Sequence, residues 1–208
     1  MKPTVGAIVL AAGSSRRMGR NKFLLPVDDK PLLAVTVEMV LRASIDPVVV
    51  VTGHEQQHVV QALAPLASDR LRFAHNEDHS IGGMLSSIKV GLAALRDDVL
   101  AALIVLGDQP LVHSQTLKTV VATWQRSRSE VVRPRFQNRH GHPVLVDARG
   151  FPEVLALPLD ATLSNFIAAR EKQTVDVDVT DAGVVNDIDT PDDYAKLIAT
   201  FPPSRPSP

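Results

Sequence analysis

The chain has 208 residues, 45% of them hydrophobic and 22% charged, which suits a globular protein of one domain with a full-sized core. Its 22 Lys and Arg nearly balance 23 Asp and Glu, so the basic excess of a duplex-binding protein is missing and no nucleic-acid partner is expected. The lack of cysteine excludes disulfides, thiolate zinc sites and a cysteine nucleophile, and no apolar run approaches the roughly 20 residues that span a bilayer. The opening Met1-Lys2-Pro3-Thr4 has none of the layout of a signal peptide, so a cytoplasmic location without a membrane partner is expected.

Apolar runs alternate with helix-period segments along the first 130 residues. Strands are predicted at 5–10, 47–51, 71–75 and 101–106, each short and rich in Val, Ile or Leu. Such continuous runs are buried on both faces, as in a parallel sheet. Helices are predicted at 31–43, 55–63, 84–95 and 114–127. Strand, helix, strand, helix is the pattern of a doubly wound α/β sheet.

The rhythm then changes. Runs at 131–136 and 143–146 flank the polar turn 137–141, which predicts a β-hairpin. Two short helical stretches follow, then extended runs at 174–179 and 184–188. A last helix opens at Thr190-Pro191-Asp192-Asp193, with a Thr cap, Pro in the first turn and acids facing the positive end of the macrodipole. No interior linker is visible, so a single domain over 1–201 is expected, with an unstructured tail at 202–208.

The first strand runs into Leu10-Ala11-Ala12-Gly13-Ser14-Ser15-Arg16-Arg17-Met18-Gly19-Arg20-Asn21-Lys22. Ligands of open α/β sheets bind beyond the carboxyl ends of strands, and small residues there let backbone N–H groups approach a phosphate. Arg17 can fork onto phosphate oxygens and Lys22 offers a compact charge. The spacing is neither that of a dinucleotide fingerprint nor that of a P-loop. The fourth strand ends in Gly107-Asp108-Gln109-Pro110, which puts Asp108 on the same edge, where a carboxylate can hold Mg2+ together with phosphate oxygens. Asp187 and Asp189, two apart in an extended segment, face one side and can reach the same metal or a second one. Asn76 closes the third strand, and Gly82-Gly83-Met84-Leu85-Ser86-Ser87 opens a helix whose N-terminus suits a nucleotide.

His54-Glu55-Gln56-Gln57-His58 matches the HExxH zinc-peptidase pattern. His54 directly follows a strand and turn, however, and no third ligand is evident, so capping of a βα unit is the preferred reading.

Taken in order, residues 10–22, Gly107-Asp108-Gln109-Pro110, His140-Gly141-His142-Pro143 and Asp187-Ile188-Asp189-Thr190-Pro191 resemble the molybdenum cofactor nucleotidyltransferase family over about residues 5–194. The resemblance implies a Rossmann-like three-layer αβα sandwich of the glycosyltransferase-A type, mostly parallel, with a β-hairpin insertion. It implies nucleotide binding by Leu10, Ala11, Ala12, Gly13, Ser14, Arg17, Lys22, Asn76, Gly83, Ser86 and Asp108, with Arg17, Lys22 and Asp108 catalytic. It also implies that Asp108 binds magnesium, with Asp187 or Asp189 completing the metal site; the segment with His140 and His142 reads either as acceptor-binding or as a plain hairpin turn. An LAAG opening, here Leu10-Ala11-Ala12-Gly13, accompanies CTP use in that family, and the Ala12 methyl would narrow a base pocket toward a pyrimidine. The implied reaction moves CMP from CTP to a small phosphorylated acceptor such as molybdopterin, releasing pyrophosphate, with a partner in molybdoenzyme maturation. One departure concerns Leu157-Pro158-Leu159-Asp160-Ala161-Thr162-Leu163, which lacks the glycines and arginine that the family's cytidylyltransferases carry there. That keeps a phosphosugar or polyol phosphate acceptor, or a non-catalytic nucleotide-binding role, as alternatives.

Overall fold

The structure, a computed structural model, describes residues 4–201, so the predicted tail at 202–208 lies outside the described residues. The chain builds β1 (Thr4–Ala11), a small ribbon of β2 (Pro26–Val27) and β3 (Lys30–Pro31), α1 (Leu32–Arg42), β4 (Val48–Thr52), α2 (Gln56–Ala62), β5 (Leu71–His75), α3 (Gly83–Ala93), β6 (Val99–Leu106) and α4 (Ser114–Ser127). It continues through β7 (Val131–Phe136), β8 (Arg139–His140), β9 (Val144–Asp147), α5 (Phe151–Ala156), α6 (Leu163–Ala168), β10 (Thr174–Asp178) and α7 (Pro191–Thr200).

The main sheet runs β5-β4-β1-β6-β9-β7-β10, with β8 hung on β7. The β5-β4-β1-β6 pairs and the β7-β10 pair are parallel, while β9 runs against both β6 and β7. The predicted hairpin is therefore drawn into the main sheet: its first strand splits between a tight turn with β8 and a pairing with β9.

Alternation along each strand feeds two layers of helices. Val48 and Val50 join the cluster with α1 and α4, whereas Val49 and Val51 join the cluster with α3, α5 and α6. All four valines are wholly buried, each contributing about 1.5–3 kcal/mol. Trp124 of α4 is buried too, and its Nε1 donates to Asp147 Oδ2 at 2.8 Å, so its role is in the core.

The α3 layer touches β1 at a glycine, since a Cβ on Gly91 would stand 2.3 Å from Ile8 Cγ2. Ile8 is wholly buried and β-branched, so it has little freedom to swing aside. Gly91→Val is expected to cost about 2–3 kcal/mol by overpacking, read as a lower midpoint in chemical denaturation. An unchanged midpoint would show that α3 can lift from the sheet.

One extended segment was misread. Residues 184–188 form no strand: Ala182–Val185 is a 3-10 turn whose opening is capped by Asp181, with Gly183 N–H donating to Asp181 Oδ1 at 3.0 Å. Gly183 also lies against the Leu111 backbone, where a Cβ would be 2.5 Å from its carbonyl. The segment is thus tied to the loop after β6 rather than to a sheet edge. α7 opens as its sequence specifies, with a reciprocal cap between Thr190 and Asp193 and Pro191 in the first turn.

Candidate active site

The chain goes from β1 outward through β4 and β5, then returns to β6 on the other side of β1, which makes the β1–β6 boundary the switch point where ligands bind. Leu10 and Leu106 are paired across it, and Gly107 N–H donates to Leu10 O at 3.0 Å. A Cβ on Gly107 would stand 2.6 Å from that oxygen, so only glycine lets the two strand ends close up. The loop after β1 turns through Ser15 (φ 51°) and Gly19 (φ 68°) around a 3-10 turn at Arg16–Met18. Ser15 Oγ accepts from Lys22 N–H at 3.1 Å, and Asn21 caps Phe23 N–H at 3.1 Å, which holds Lys22 at the start of a second 3-10 turn.

Lys22 is buried, and its ammonium donates to Asp108 Oδ2 and, at 2.8 Å, to Asp189 Oδ1. Arg17 Nη2 reaches Asp189 Oδ2 at 2.8 Å with its side chain 70% exposed, so solvent weakens that pair and little holds the guanidinium in place. Ile188 N–H donates to Asp108 O at 3.0 Å and buries its side chain, which leaves Asp187 and Asp189 facing the cleft. Gln109 Nε2 donates to Asp187 Oδ1 at 2.6 Å.

Burial pushes the Lys22 ammonium toward neutrality, but Asp108 and Asp189 outweigh it and hold the group above its ordinary value. Burial likewise raises Asp108, with Asp187 and Asp189 adding to the rise against the pull of Lys22. The two directions conflict for one ion pair, and the lysine's governs, because two carboxylates share one ammonium. Burial also pushes Asp189 up, yet Lys22 and Arg17 bring it below the usual carboxylate range.

Two cavities meet at this edge. One, of about 410 Å3, is lined by Leu10, Ala12, Gly13, Ser14, Arg17, Lys22, Asp108, Asp187 and Asp189, and by Phe23, His79, Gly83, Met84, Ser87 and Leu106. The other, of about 610 Å3, lies between the start of α3, the β7–β9 hairpin and residues 159–164. Gly83 and Met84 line both. His140 and His142 line the larger cavity, as does Arg133, which sequence reasoning missed. His140 Nε2 lies 2.9 Å from Asp176 Oδ2, and burial lowers the pKa of His142 against an opposing pull from Asp187. The departing segment forms part of this wall through Leu159, Asp160, Ala161, Thr162 and Leu163.

Three predicted nucleotide residues lie behind the cleft rather than in it. Ala11 is wholly buried on the α1 and α4 side of the sheet, because alternation turns it away from Leu10 and Ala12. Asn76 Nδ2 donates to Ser86 Oγ at 2.8 Å and to Ser87 Oγ at 2.9 Å, and Ser86 Oγ donates to Gly83 O at 2.9 Å. Asn76 and Ser86 thus brace the helix start, while Ser87, one residue on, reaches the cavity. Gly83 has φ 58°, a left-handed conformation that suits glycine where the cavities join. His54 lies outside α2 and Glu55 is left-handed, so the HExxH histidines do not share a helix face.

The three predicted metal acids line one cavity, but the Lys22 ammonium stands between Asp108 and Asp189. Among the described residues, no group of three or more His, Asp or Glu is gathered to hold a metal by protein alone. Asp108 Oδ1 and Asp187 Oδ2 take no protein donor among the described hydrogen bonds, and two hard carboxylates beside a phosphate loop fit a magnesium that takes its other ligands from phosphate and water.

The loop after β1, Lys22 and the three acids thus gather in one cavity at the switch point of a doubly wound sheet. Residues 7–175 match the MobA-like NTP transferase domain, and the chain belongs to that family. It is 38% identical over 168 residues to bifunctional protein GlmU of Anaeromyxobacter sp., covering 76% of this chain but spanning only 33% of that relative's length. It is 24% identical over 190 residues to the molybdenum cofactor cytidylyltransferase of Escherichia coli, covering 91% of this chain and 93% of that one. Nicotine blue oxidoreductase of Paenarthrobacter nicotinovorans is 31% identical over 207 residues, covering 94% and 97%. Among solved structures, Rv0371c of Mycobacterium tuberculosis superposes with a TM-score of 0.82 at 27% identity, covering 96% of this chain and 100% of that one, and it has also been solved in complex with manganese.

Proposed function

We propose that the chain transfers CMP from CTP to a small phosphorylated acceptor such as molybdopterin, with magnesium, and releases pyrophosphate. The observation that carries this is the placement of Lys22, Arg17 and Asp108 in a nucleotide-sized cavity that opens at Gly83 and Met84 into a second, larger one. The triphosphate would lie along Gly13, Ser14, Arg17 and Lys22, with the base toward Ala12. An acceptor phosphate oxygen from the larger cavity attacks the α-phosphorus, and the bond to the bridging oxygen breaks, leaving its electron pair on pyrophosphate. A phosphate monoester is already anionic at pH 7, so no strong base is needed. Lys22 and Arg17 would hold the charge that gathers on the leaving group. Magnesium held by Asp108 and Asp187 would neutralise further phosphate charge. Asp189 then serves to fix Lys22 and Arg17 rather than to bind metal. The name of the Escherichia coli relative supports the cytidine donor and the molybdenum cofactor acceptor.

A second reading, transfer to a phosphosugar or polyol phosphate, is favoured by the residues at 159–163, which line the acceptor cavity without the family's glycines and arginine. Pyrophosphate release separates the readings when measured with magnesium, each of the four NTPs, and molybdopterin beside a panel of sugar and polyol phosphates. Release with CTP and molybdopterin alone is the expected result. Release with another pair would replace the substrates and keep the reaction, and silence throughout would overturn it in favour of a non-catalytic nucleotide-binding protein.

A further inference from the structure

We infer that Arg133 anchors the acceptor by an anionic group; this rests on the proposed use of the larger cavity by the acceptor. Val131 and Val132 of β7 belong to opposite core clusters, so alternation puts Arg133 on the side of Val131. Leu85, Val144, Leu163 and Ile167 of the Val131 cluster line the larger cavity, and Arg133 lines it with them. No other lysine or arginine is among the lining residues, so Arg133 is the one permanent cation that the wall offers.

The guanidinium is held by one nitrogen only. Arg133 Nε donates to Asp176 Oδ1 at 2.6 Å, across the parallel pair of β7 and β10 where the two residues face each other. Nη1 and Nη2 donate no hydrogen bond among the described residues. Glu171 comes within 3.9 Å of Nη2, but its side chain is 73% exposed, so solvent weakens that pair. The buried side-chain polar atoms without a partner are Asn21 Nδ2 and His79 Nδ1 alone among the described residues, so both terminal nitrogens of Arg133 keep accessible surface. The side chain as a whole is only 13% exposed, which leaves its charge poorly screened. A guanidinium fixed at Nε with both terminal groups unbonded is a preset fork, the geometry that grips a phosphate or carboxylate by two parallel bonds.

The test is calorimetric binding of molybdopterin, glucose phosphate and glycerol phosphate, with magnesium and a non-hydrolysable CTP analogue present, to the native protein, Arg133→Met and Arg133→Lys. Arg133→Met is expected to weaken the best-bound of the three about 30-fold, while affinity for the CTP analogue stays within about twofold. Asp176 keeps His140 at 2.9 Å and Arg135 at 3.6 Å in that variant, so its carboxylate is not stranded. Arg133→Lys, which keeps the charge and loses the fork, is expected to recover part of the loss. In turnover the loss should fall on KM for the acceptor rather than on kcat. A loss that includes a simple phosphate would assign Arg133 to the acceptor phosphate, and a loss for molybdopterin alone to another anionic group of that molecule; either supports the anchor. Unchanged affinity for every probe would overturn it, as would an equal loss for the CTP analogue, which marks a structural role. A probe bound by the native protein and lost in Arg133→Met, without pyrophosphate release from either, would keep the anchor and overturn the proposed reaction. Failure of the native protein to bind any of the three would overturn the anchor and the use of the cavity together.

Discussion

Lys22→Ala is expected to lower turnover about 100-fold or more, the range found when one preorganised donor to a developing charge is removed. The ammonium is held by Asp108 and Asp189 before substrate arrives, and it is buried, so its field is only partly screened by solvent. The loss should fall on kcat more than on KM for the nucleotide, because charge moves onto the pyrophosphate only as the bond breaks. Lys22→Arg is a poor substitute despite its charge, since a planar fork cannot sit between two carboxylates as a compact ammonium does. Activity within a few-fold of native in the Ala variant would remove Lys22 from the mechanism.

Asp108→Ala is expected to abolish magnesium-dependent transfer while leaving the fold intact. Lys22 keeps Asp189 as a partner in that variant, so the ammonium is not left buried and unpaired, which is the usual cause of collapse when one member of a buried pair is removed. Metal binding can be read without turnover: magnesium with a non-hydrolysable NTP should raise the Tm of the native protein, and that increment should vanish in the variant. Full activity in Asp108→Ala would end its assignment to the metal. A folded variant with no activity but a preserved magnesium-dependent increment would instead move the metal to Asp187 and leave Asp108 to hold Lys22.

Much of the fold was legible because it rests on local pattern. The central strands read as unbroken apolar runs since both their faces are covered, and Thr190 to Asp193 spells its own helix start. The run at 184–188 misled because Val, Val and Ile suit a strand equally well in any extended segment; its fate was decided by Asp181 and Leu111, which no local window relates. Ala11 was avoidable, since the alternation that places Leu10 and Ala12 in the cleft turns it away. The choice between Ser86 and Ser87 was not, because neighbouring residues at a helix start differ by about 100° and nothing nearby fixes the phase. The position of Lys22 was hidden most deeply: the acids that hold it lie 86 and 167 residues along the chain. The residues were visible, and their meeting was not.

The shared border of the two cavities at Gly83 and Met84 has a consequence for how this protein can diverge. The chamber that would activate the nucleotide and the chamber that would choose its recipient share only the start of α3, and the rest of the second is walled largely by a hairpin and the stretch around the start of α6. Changes there alter what can be admitted without disturbing the machinery next door. A lineage on this plan can keep one chemical step and exchange its recipient by drift in a few wall residues, so the segment at 157–163 is where a change of biological role would first be written.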